Sequence, residues 1–276
     1  VELSDRNKVE GVGMYRKILV GFQETQQGRD ALELGRILSQ ANRAEMMLVT
    51  APADGGMGLG DLARAESADL VVLGSTHRGQ LGRIVPGATV ARLLADAPCA
   101  VAVAPPGFAG SPEAESEWRP LRGSLDDIGM RVVGVGFDGS PAAAEALRIA
   151  ADLAVPNGAA LRVYTVARNY AQPPGANGPG GMPTEAELLN QALHDAVRDL
   201  PPEVRAQPVF IRGFAAPELI DAVKLGVDLL VLGSRGGGPI RRTFRHSVSD
   251  AILAEANCPV LISPKGVRAP VPALAN

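Results

Sequence analysis

Two stretches of this chain combine residue types that handle anions. One is the turn Phe137-Asp138-Gly139-Ser140, where a carboxylate, a glycine and a hydroxyl follow one another at the end of an apolar run. The other reads Gly233-Ser234-Arg235-Gly236-Gly237-Gly238-Pro239-Ile240-Arg241-Arg242-Thr243-Phe244-Arg245-His246-Ser247. A backbone bare of side chains can approach a ligand closely and turn its N–H groups inward. A helix starting near Ser247 adds unpaired donors and the positive end of its dipole. That combination suits a phosphate chain, with Asp138 placed to accept hydrogen bonds from a base or a sugar. Gly-rich turns after strands also serve plain chain reversal, so the residues alone leave both readings open. The pattern is not a P-loop, because neither Gly-Lys-Ser nor Gly-Lys-Thr occurs. Arg241, Arg242 and Arg245 would balance a triphosphate or simply form a solvated face.

Other chemistries find little support. The two cysteines, Cys99 and Cys258, each sit beside a proline at the start of a short apolar run and read as small buried hydrophobes. His77, His194 and His246 lie far apart, without the ligand spacing of a zinc site. His194 falls on an ordinary amphipathic helix and reads as a surface residue. No Ser-His-Asp set and no suggestive carboxylate pair stands out, which points away from a fast enzyme. The net charge of -3 and a pI near 5.7 leave no basic footprint for nucleic acid. Ten aromatics in 276 residues are too few for a base-stacking platform. No apolar run approaches the 18 or so residues of a membrane span, and no charged segment precedes an apolar one in the manner of a signal peptide. The expectation is a soluble, cytoplasmic protein.

The elements that must position these residues come in two copies. Arg16 to Thr25 reads RKILVGFQET and Arg131 to Ser140 reads RVVGVGFDGS, an offset of 115; Ala68 to Ser75 (ADLVVLGS) and Val227 to Ser234 (VDLLVLGS) are offset by 159. The second offset also brings Cys99 onto Cys258 and Pro105 onto Pro264. The difference, 44 residues, is the amount by which the first copy is shorter in its middle. The expected division is an N-terminal extension over 1–15, a truncated unit over 16–105, a linker over 106–130, a complete unit over 131–264 and a tail over 265–276.

In the complete unit, apolar runs predict strands at 132–137, 161–166, 209–211, 229–232 and 260–262. Between them, helical periodicity predicts a helix capped by Ser140-Pro141 and stopped by Asn157-Gly158, and further helices at 184–200, 217–225 and 247–256. The first copy has strands at 18–22 and 46–50, a helix at 29–40 and a short helix at 61–66. Its missing residues match the second helix and the third strand, which should lie at a sheet edge. Strands alternating with helices mean right-handed βαβ units and a parallel sheet covered on both faces. The predicted class is α/β, two doubly wound parallel-sheet domains, the first lacking one helix and its third strand.

The Gly-Phe-Asp-Gly-Ser turn, the ADLVVLGS and VDLLVLGS strands and the Cys/Pro-entered last strands give the chain a resemblance. It resembles a tandem universal stress protein, over nearly all of 16–105 and 131–264. The resemblance implies the strand order 3-2-1-4-5 of the adenine nucleotide alpha-hydrolase-like fold. It also implies pairing through the last strands, here between the two domains of one chain, with a homodimer as a further expectation. ATP-binding members carry Gly-x2-Gly-x9-Gly-Ser/Thr for the phosphates and ribose, and a strand-one Asp on the adenine side. Carried over, the second copy keeps Asp138, Gly233, Gly236 and Ser247, with His246 at the third glycine; Gly139, Ser140, Ser234, Gly238 and Val248 complete the expected site. The first copy keeps Gly74 and Gly87 but has His77, Ala88 and Gln23 at the remaining positions, and reads as a degenerate half. The implied ligand is ATP with Mg²⁺, the implied role regulation or sensing, with slow ATP hydrolysis as the upper limit of activity. The departures at His77 and His246 favour an alternative, a nucleotide-free interaction or dimerisation module with vestigial loops.

Overall fold

Runs such as LVVLG and LLVLG, apolar at every position, satisfy a parallel strand buried on both faces and nothing half-exposed. The computed structural model places them there. It describes residues 13–50, 58–75, 90, 93–94, 96–110, 130–168, 183–234 and 248–264. The first half contributes β1 (Lys17–Phe22), α1 (Gln26–Asn42), β2 (Glu45–Thr50), α2 (Leu59–Ala65), β3 (Leu70–Gly74) and β4 (Ala100–Ala104). The second contributes β5 (Val132–Gly136), α3 (Pro141–Ala154), β6 (Ala160–Ala167), α4 (Glu185–Arg198), β7 (Arg205–Arg212), α5 (Ala215–Val223), β8 (Leu229–Gly233), α6 (Val248–Glu255) and β9 (Val260–Ser263).

The halves merge into one nine-stranded sheet of order β2-β1-β3-β4-β9-β8-β5-β6-β7. All neighbours are parallel except β4 and β9, which run antiparallel and join the halves. The second half therefore reads β7-β6-β5-β8-β9, the expected 3-2-1-4-5. Among the described residues the first half reads 2-1-4-5 and lacks the outer strand. The seam has internal symmetry. Ala102 faces Leu261, its own counterpart in the repeat, while Val101 faces Ile262 and Val103 faces Val260. Both cores run across it. On one face α1 and α3 cover Ile18, Val72, Ala102, Val133, Val231 and Leu261; on the other, α2, α5 and α6 cover Leu19, Val71, Val101, Leu230 and Ile262.

Local chemistry starts the helices. Ser140 caps α3 through a bond accepted from the Ala143 N–H, with Pro141 in the first turn, as read from the sequence. Thr184 and Glu187 form a capping box on α4. β7 is longer than the predicted 209–211 and runs through Pro208. A proline is tolerated there because β7 is an edge strand, with one side free of a partner strand among the described residues.

A pair of aspartates sets the inner strands in place. Asp69 Oδ2 accepts the backbone N–H groups of Arg16 (2.8 Å) and Lys17 (3.0 Å), and Asp228 Oδ2 accepts those of Arg131 (2.8 Å) and Val132 (2.9 Å). Each carboxylate thus ties the start of its strand to the neighbouring one, at the end of the sheet opposite the expected site. Bonds to a charged acceptor contribute about 1.5–3 kcal/mol each, less where water competes. Asp228→Ala should lower stability by about 2 kcal/mol in urea unfolding, whereas a change below about 0.5 kcal/mol would show that the clamp contributes nothing.

Candidate functional site

The carboxyl ends of β5 and β8 meet where the strand order reverses, the place at which open parallel sheets receive ligands. The β5 turn is held from below. Thr165, fully buried at the end of β6, donates from Oγ1 to the Phe137 carbonyl (2.8 Å), and Phe137 N–H donates to the Tyr164 carbonyl (2.8 Å). The chain then turns outward. Asp138 Oδ1 accepts the Ser140 N–H (3.0 Å), an Asx turn, and Gly139 takes a φ of 75°. A Cβ built on Gly139 would meet nothing within 4 Å among the described residues, so the turn has room beside it there. Asp138 and Gly139 are exposed, and the first turn of α3 carries no acidic side chain to repel an anion.

The structure assigns two of the expected residues more local work. The Ser140 hydroxyl is committed to capping α3. Gly233, the last residue of β8, lies against the first turn of α3; a Cβ there would collide with the Ala142 carbonyl oxygen. The glycine thus lets the helix N-terminus come down to the strand end beside Asp138. Ser234 N–H donates to the Ser263 carbonyl (2.8 Å), and Val248 opens α6. Gly236, Gly238, His246 and Ser247 lie outside the described residues, as do Arg241, Arg242, Arg245, His77 and Gly87.

The first half repeats the frame but not the mouth. Gly74 packs on the Gln27 backbone as Gly233 packs on Ala142. Gln23, however, has no carboxylate to offer, and Thr25 N–H donates instead to the Gln23 main-chain carbonyl (2.7 Å). With Glu24 in place of a glycine, the turn folds back on α1, where a Cβ on Gly28 would strike the same carbonyl. Asp30, fully buried on α1, accepts from Gly107 N–H (2.9 Å), Ala109 N–H (2.9 Å) and Gln26 Nε2 (2.9 Å), and so draws the segment after β4 onto this helix.

Sequence reasoning missed Thr165, Asp30 and the Asp69/Asp228 pair. The signal for two of them was present, since both aspartates occupy the same place in the repeat and Thr165 is the counterpart of Thr50. Among the described residues no cluster of three or more His, Cys, Asp or Glu side chains could hold a metal, and no helix is long and apolar enough to cross a membrane.

The sequence model of the Universal stress protein family matches residues 53–105 and 130–264, more than half of the chain. The chain belongs to this family. A universal stress protein of Mycobacterium tuberculosis strain H37Rv is 28% identical over 201 residues, which cover 72% of this chain and 63% of that relative. A second from the same strain is 27% identical over 218 residues, covering 75% and 68%. The chain thus spans about two thirds of the length of the curated relatives it matches. Among solved structures, a universal stress protein from Archaeoglobus fulgidus DSM 4304 superposes with a TM-score of 0.60 at 13% identity, over 93% of this chain and 98% of that one. A protein from Pseudomonas aeruginosa UCBPP-PA14 gives 0.60 at 16% identity, over 91% and 93%. These structures share the universal stress protein fold with both halves of the chain together.

Two outcomes check this geometry. Gly233→Ala should cost at least about 2 kcal/mol of stability, since a backbone carbonyl must move to admit the methyl; a neutral substitution would place the strand end elsewhere. Cys99 and Cys258 are buried, and burial pushes both thiols up to about 12. At pH 8 neither is appreciably ionised, so a disulfide reagent should label both only in denaturant. Rapid labelling of the native protein would contradict the burial.

Proposed function

We propose that this universal stress protein binds one adenine nucleotide, ATP with Mg²⁺, in its second half, and acts as a regulator or sensor rather than as a fast enzyme. The observation that carries the reading is the outward turn at the end of β5. It sets an exposed carboxylate beside a positive-φ glycine with room around it among the described residues, next to a helix N-terminus free of acidic residues. Asp138 would face the adenine side, and Gly233, Gly236 and Ser247 the phosphates and ribose, the positions that match the motif of ATP-binding family members. Mg²⁺ would neutralise part of the phosphate charge, with Asp138 and the α3 N-terminus orienting the nucleotide.

The first half is a supporting domain in this reading. Gln23 supplies no carboxylate, and its main chain packs on α1 at Gly28. Bound nucleotide then acts by population shift, favouring one arrangement of the Gly233–Ser247 segment.

Isothermal titration of the full chain with ATP and Mg²⁺ tests this directly. The expected result is one site per chain, weakened at least about tenfold, or about 1.4 kcal/mol, by Asp138→Ala and by Ser247→Ala, and unchanged by Gln23→Ala. No heat at millimolar ATP would overturn the reading and favour the nucleotide-free module.

A further inference from the structure

The two outer edges of the sheet are built differently. β7 carries Arg205 and Arg212 at its ends and Pro208 in its middle, all exposed. Charged ends and a residue without an N–H are what keep an edge strand from pairing with another chain. β2 has a charge at one end only, Glu45, and no proline. It reads Glu-Met-Met-Leu-Val-Thr, with four consecutive apolar residues, and among the described residues no strand lies on its outer side.

The repeat shows what is missing there. β2 pairs with β1 in the same register as β6 with β5, so Leu48 is the counterpart of Val163. Val163 is 0% exposed under α4 and beside β7, whereas Leu48 is 50% exposed. The shortened middle of the first half leaves an apolar strand edge where the second half has a finished one.

We propose that β2 is a self-association edge, on which a second copy of this chain lays its own β2 antiparallel across a two-fold axis. Three observations select that occupant. Glu45 is the sole charge of the strand, and antiparallel self-pairing moves the two Glu45 side chains to opposite ends of the ladder, whereas parallel pairing would set like charges side by side. Pairing of β2 with the β7 of another copy would meet Arg205, Pro208 and Arg212 and would build an open chain; self-pairing closes after two copies. The β4·β9 seam, finally, shows repeat-related strands of this sheet already completing one another antiparallel. A six-residue ladder is small beside the interfaces of permanent dimers, so the pair is reversible and concentration-dependent.

Sedimentation velocity of the full chain from about 5 to 500 µM should show the mass rising from 28.6 kDa toward twice that value. Leu48→Lys should weaken the dimer at least tenfold while leaving the far-ultraviolet spectrum and the melting temperature in place, because the side chain is at the surface. In a second arm, Leu48→Cys lies at the centre of the proposed ladder and should cross-link chain to chain under mild oxidation, with both native cysteines buried. Gln207→Cys on β7 should not. A constant monomer mass across the range, a dimer indifferent to Leu48→Lys, or equal cross-linking at both positions would overturn the proposal.

Discussion

The antiparallel ladder between β4 and β9 is the contact on which the rest of this molecule depends. It turns two parallel half-sheets into one, and it removes from solvent two edges that are apolar at every position but Ser263. Val101, Val103, Val260 and Ile262 fill one face of the seam and Ala102 and Leu261 the other, each of the larger side chains contributing about 1.5–3 kcal/mol by its burial. Ala102 opposite Leu261 is a small residue facing a large one, which keeps the pair from overfilling the layer beneath α1 and α3. Because both cores pass through this ladder, the first half does not stand alone on its four strands. That is how it tolerates the loss of an outer strand and helix that would otherwise flank β2.

The same frame carries two different mouths. The registers of β1 with β2 and β3 repeat in β5 with β6 and β8, and a glycine ends both β3 and β8 where a helix N-terminus presses down. The divergence comes from two residues. Asp138-Gly139 lets a side chain accept the turn hydrogen bond and lets the backbone enter the left-handed region, so the chain swings away from α3. Gln23-Glu24 offers neither, and the main-chain carbonyl takes the bond instead. Both turns are exposed, but the main chain of Gln23 packs on α1 at Gly28 whereas Gly139 has a positive φ and stands clear of its neighbours, and the proposed function rests on that difference.

Much of this was legible in the sequence, because the repeat offsets encode register. Residues offset by 115 in the first strands, or by 159 in the later ones, occupy equivalent places in the sheet. Ser140-Pro141 announced the start of α3, and the all-apolar runs announced the inner strands. The limits of β7 were not legible, since Pro208 reads as a strand breaker until the strand is known to be an edge. Asp69, Asp228 and Thr165 were passed over because their partners are 28 to 97 residues away, and no local pattern reports such bonds. Asp30 carries no local signal of its burial, which depends on the segment after β4 folding back over α1. The core likewise takes in Met14, Tyr15, Phe108 and Met130, which flank the unit boundaries expected from composition. Of the expected site, Asp138, Gly139, Ser140, Gly233, Ser234 and Val248 fall within the described residues, and the glycines among them serve two purposes, one opening a turn and the other admitting a helix.

The proposed division between a binding half and a supporting half is tested most directly by hydrogen exchange on the full chain with and without millimolar ATP and Mg²⁺. Exchange should slow in peptides covering 137–144 and 230–249 and stay unchanged in those covering 22–28. Equal slowing at both turns, or slowing confined to the first, would contradict the asymmetry; no slowing anywhere would remove the nucleotide and leave the fold.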